Sequence, residues 1–79
     1  MQDRYVVFLR TNLDDAPLRM FKRDEKAIQF AEKVRKNPCK YQCYRYNVFE
    51  LPDHCTVVGV AVVAFYDGHP TSMIYDEET

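Results

Sequence analysis

With two glycines in 79 residues, the chain has little permissive backbone from which to build a glycine-rich phosphate cradle. No serine nucleophile elbow and no His-Glu-x-x-His pattern occurs either. No stretch approaches the roughly 20 apolar residues that cross a bilayer, so no membrane partner is expected. The opening residues, Met1-Gln2-Asp3-Arg4-Tyr5, lack the basic-then-apolar layout of a signal peptide. The cysteines, Cys39, Cys43 and Cys55, are odd in number and too few to staple a secreted fold. That scarcity agrees with a reducing compartment, and a cytoplasmic location is the expectation.

Catalytic chemistry is equally thinly supplied. Both histidines, His54 and His69, fall in expected turns, which places them on the surface. The adjacent carboxylates Asp14 and Asp15 sit in a loop with no apolar wall to raise a pKa. Four soft ligands lie in Cys39-x-x-x-Cys43 and His54-Cys55, but the spacing matches no zinc knuckle. If Cys43 lies on a strand, it stands roughly 25 Å from the turn holding His54, at about 3.3 Å per residue. No enzyme activity, cofactor or metal is expected.

What the chain does contain is apolar strand. Residues 56–66 read Thr-Val-Val-Gly-Val-Ala-Val-Val-Ala-Phe-Tyr without a charge, and branched valines favour extended backbone. Taken every second residue, one side shows Val58, Val60, Val62 and Ala64, and the other Val57, Ala61, Val63 and Phe65. A strand apolar on both sides needs cover on both faces.

The remaining elements follow in order. Arg4 to Arg10 is a short strand, also apolar on both sides and an expected inner neighbour of the central one. Thr11 to Pro17 is a loop into a second strand over Leu18–Phe21, forming a hairpin. A helix of about 13 residues starts at Asp24 or the residue before it, where Asp24 and Glu25 favour the positive dipole end. Asn37 and Pro38 end it, with Asn37 suited to a left-handed turn. Ala27, Phe30, Ala31 and Val34 form its apolar stripe, with Ile28 at the margin. Tyr41–Leu51 reads as a third strand, expected to hairpin with the central one through Pro52, Asp53 and His54. Asp67-Gly68 signals a further reversal into a last strand over Thr71–Tyr75, followed by an acidic, frayed end from Asp76.

A single α+β domain over residues 1–79 results. It has a mostly antiparallel sheet of four to five strands, in the order strand, strand, helix, strand, strand, strand, and one helix packed on one face. A helix of this length roofs one face and leaves the second open. The expected function is therefore a non-enzymatic protein-interaction module, homodimerising through the apolar sheet, with Val57, Val58, Val60, Ala61, Val62, Val63 and Phe65 as interface residues.

Charge is divided unevenly. Nine basic and three acidic residues lie between Arg19 and Arg45, against two basic and nine acidic elsewhere. The basic half suggests an alternative, single-stranded nucleic-acid binding through Lys33, Arg35, Lys36, Lys40, Tyr44, Arg45 and Tyr46, which pair flat rings with positive charge. Against it, Tyr41 points to the opposite side of its strand from Tyr44 and Tyr46, and the net charge is −1.

Overall fold

The structure, a computed structural model, describes residues 3–38 and 57–78. Within them lie strands β1 (Asp3–Thr11) and β2 (Asp15–Phe21), helix α1 (Asp24–Lys36), and strands β3 (Val57–Tyr66) and β4 (His69–Glu78). The strands form one antiparallel sheet in the order β2-β1-β3-β4. The α+β class, with one helix across an antiparallel sheet, is as the sequence implies.

Helix α1 covers one face. Ala27, Ala31 and Val34 are buried against Val7 and Leu9 of β1 and Val60 and Val62 of β3, all 0% exposed, with Ala16 of β2 completing the cluster. Small alanines on the helix stripe allow its axis to lie close to the valine layer. At the edge of this core, Phe21 and Phe30 meet at 5.5 Å between ring centroids, and the Arg19 guanidinium lies 5.1 Å from the first ring and 5.8 Å from the second.

The turns follow local chemistry. Asp67 and Gly68 both take positive φ, 54° and 81°, the geometry of a type I′ hairpin, which joins β3 to β4. Between β1 and β2, the Thr11 amide donates to the Asp14 carbonyl at 2.9 Å. The Thr11 hydroxyl donates to that same carbonyl at 2.9 Å and accepts from the Leu13 and Asp14 amides at 3.2 and 3.1 Å. Pro17 and Pro70 fall on β2 and β4, the outer strands of the described sheet, where a missing N–H interrupts no inner ladder.

Several expectations need correction. Both edges of β3 are occupied, by β1 and β4, so β3 does not hairpin with the segment before it. That segment, with the strand expected over Tyr41–Leu51, lies outside the described residues. β2 begins at Asp15 rather than Leu18, and β4 runs on to Glu78, so Asp76 to Glu78 are paired strand and not a frayed end. Gly59 permits that extension: a Cβ there would stand 2.6 Å from the Glu77 carbonyl oxygen. Helix α1 starts where expected, with Arg23, the residue before Asp24, at its N-cap and no side-chain bond there, but Asn37 has φ −143°, not a left-handed value. The helix end is closed instead by the Asn37 amide, which donates to the Lys33 and Val34 carbonyls.

Candidate functional site

The face of the sheet opposite α1 is built from the alternate residues of each strand, and the register assembles them into rows. One row runs Met20, Val6, Val63, Met73 from β2 across to β4. The next is Pro17, Phe8, Ala61 and Asp76, and beyond it lies Asp15, Arg10, Gly59 and Glu78. On the other side of the methionine row stand Arg4, Phe65 and Pro70. Phe8 and Phe65 reach diagonally toward each other, with ring centroids 6.4 Å apart. Apolar rows thus occupy the middle of the face, and charge collects at one end.

Exposure separates the two sides. Met20 is 59% exposed and Met73 52%, while Val6, Phe8, Val63 and Phe65 are half-buried by one another. Among the described residues, no helix or strand lies over this face.

The expected interface residues divide between the faces. Val60 and Val62 are sealed beneath α1, and Val57 packs against that same core. Val63 and Phe65 belong to the open face, with Ala61 in its floor at 2% exposure. Val58 is 45% exposed beside the charged end. The reversal of Val57 and Val58 from simple alternation has a cause: the β1–β3 register shifts between Arg10 and Thr11, so β3 carries an extra residue at Val58. A bulge of this kind swaps the faces of everything beyond it. Met20 and Met73, absent from the expected set, belong to it by register. Their signal in the sequence is methionine where an outer strand would otherwise present a polar side chain.

Charge on the open face is concentrated around Arg10. Its Nη1 donates to Asp76 Oδ1 at 2.9 Å and its Nε lies 3.6 Å from Asp15 Oδ1. A shallow groove bordered by Arg10, Val58, Gly59, Asp76, Glu77 and Glu78 opens there. With three carboxylates to one guanidinium, it is acidic overall.

Of the residues in the nucleic-acid alternative, Lys33, Arg35 and Lys36 are exposed on the last turn of α1, where basic side chains complement the negative dipole end. Lys40, Tyr44, Arg45 and Tyr46 lie outside the described residues, as do Cys39, Cys43, His54 and Cys55. Among the described residues, no group of three or more histidine, cysteine, aspartate or glutamate side chains is placed to hold a metal ion. No helix among them is long and apolar enough to cross a membrane. Comparison with family models, curated proteins and solved structures finds no match.

Proposed function

We propose that this chain is a small, non-enzymatic interaction module that homodimerises through the open face of its sheet. The observation behind this reading is the block of apolar rows on the side of the sheet away from the helix, with two methionines more than half exposed. Four strands at about 4.8 Å spacing outline roughly 500 Å² in plan. Side-chain relief brings that near the roughly 800 Å² each partner contributes to a standard interface. A second copy is the natural occupant, because an apolar centre bounded by charge is self-complementary under two-fold symmetry. A 79-residue domain also gains most from burying such a face, having little core of its own.

Sedimentation across a concentration series tests the reading. The expected result is a reversible dimer of the 9.4 kDa chain, converted to a folded monomer by Val63→Asp. A concentration-independent monomer for the parent chain rejects it.

A further inference from the structure

Two of the three methionines in the chain stand at the two ends of one row of the open face. Met20 is on β2 and Met73 on β4, with Val6 and Val63 between them in register. Three strand spacings, about 14 Å, separate the two positions. The inner places are held by branched valines, which suit the pleat and are half-buried. The outer places carry unbranched thioethers that remain 59% and 52% exposed. Methionine adapts its shape to an apolar partner, and it is also the apolar side chain that oxidants attack.

We propose that Met20 and Met73 are oxidation sites that control self-association: hydrogen peroxide acting on the free chain converts both thioethers to sulfoxides, and the sulfoxide form stays monomeric. This rests on the dimer reading above and adds its regulation. At each site a sulfur lone pair attacks one peroxide oxygen, the O–O bond breaks and an S–O bond forms. The departing hydroxide takes the proton from the oxygen bound to sulfur and leaves as water, so sulfur is oxidised by two electrons and peroxide reduced by two. The product side chain is polar, with an oxygen that accepts hydrogen bonds. The apolar rows in the middle of the face offer that oxygen no side-chain donor, and burying it unpaired is enough to raise the dimer Kd about tenfold or more. Assembly acts in the other direction. A second copy over the row takes both sulfurs out of solvent, so oxidation draws on the monomer and slows as the dimer fills.

Hydrogen peroxide in excess over the intact chain is the probe, followed by peptide mass spectrometry at Met20 and Met73 and by sedimentation. The expected result is a rate of oxidation at both methionines that falls as chain concentration is raised through the dimer Kd. The oxidised chain is expected to keep the native circular-dichroism spectrum and to sediment as a monomer. Equal rates at every concentration, in a chain that sediments as a dimer, overturn the proposal while leaving the dimer standing. An oxidised chain that dimerises with the parent's Kd, or one that has lost its fold, does the same. A parent chain that sediments only as a monomer overturns the dimer itself and the proposal with it.

Paired variants separate sulfur chemistry in this row from peroxide acting on the three cysteines. Met20→Leu with Met73→Leu keeps volume and apolarity, so it is expected to dimerise as the parent does and to stay dimeric under peroxide. Dissociation of this variant by the same treatment overturns the proposal, because the responsible group then lies elsewhere. Met20→Gln with Met73→Gln places polar amides where the sulfoxides would stand, and is expected to be a folded monomer without any oxidant. Retention of the parent's Kd by the glutamine pair overturns the proposal as well.

Discussion

Arg10 on β1 reaches across Gly59 of β3 to Asp76 on β4, with 2.9 Å between Nη1 and Oδ1. Its Nε stands 3.6 Å from Asp15 on β2, so one side chain spans all four strands. The span is possible because glycine leaves nothing on β3 for the guanidinium to climb over.

Asp76→Ala removes the closer of these contacts. Both partners are partly exposed, at 38% and 48%, so the expected loss is about 0.2–1 kcal/mol and falls as salt rises. Hydrogen exchange should show the consequence locally, with faster amide exchange at Asp76 to Glu78 and little change at Met73.

Gly59→Ala is expected to cost more than its single methyl suggests. The new Cβ meets a backbone carbonyl at 2.6 Å, and the backbone yields less readily than a side chain. Overpacking of this kind costs about 1–3 kcal/mol. Thermal unfolding measures it; a Tm equal to that of the parent would show that β4 does not approach β3 so closely.

Val60 and Val63 lie on opposite faces of β3, and their aspartate variants are expected to differ in outcome. Val60 is 0% exposed beneath α1, and an unpaired carboxylate there costs several kcal/mol, enough to unfold a domain of this size. Val63 lies on the open face, so its variant keeps the native circular-dichroism spectrum and loses only self-association. If both variants remain folded dimers, the interface lies elsewhere.

Thr11→Val exchanges a hydroxyl for a methyl at the β1–β2 turn. The Leu13 and Asp14 amides lose their acceptor, and leaving donors unsatisfied in a part-buried site costs about 1–3 kcal/mol. Thr11→Ser restores the oxygen and should recover most of that in a denaturant titration.

Tyr75→Phe works in the other direction. The Tyr75 hydroxyl is buried and has no hydrogen-bond partner among the described residues, while its ring packs on the helix-side core. Removing the oxygen is expected to be neutral or stabilising by up to about 1 kcal/mol. A loss of more than that in chemical denaturation would mean the hydroxyl has a partner.

Much of the architecture was legible locally. The spacing of Ala27, Ala31 and Val34 specifies a helix and its buried side, Asp67-Gly68 specifies a reversal, and alternation divides Val60 and Val62 from Val63 and Phe65. Those features depend on backbone period and on φ preferences within a few residues, so the sequence contains them whatever the rest of the chain does.

Pairing and face were settled by distant contacts. Both sides of β3 are apolar, so nothing local says which one α1 covers; the packing of Ala27 and Ala31 onto Val7, Val60 and Val62 decides it. The ladder to β1 introduces the extra residue at Val58 that moves Val57 to the helix side. Close approach at Gly59, with Arg10 held between two strands, turns the acidic residues after Tyr75 into the end of β4. In each case the deciding groups are far apart in sequence, and only the folded chain brings them within hydrogen-bonding or van der Waals reach.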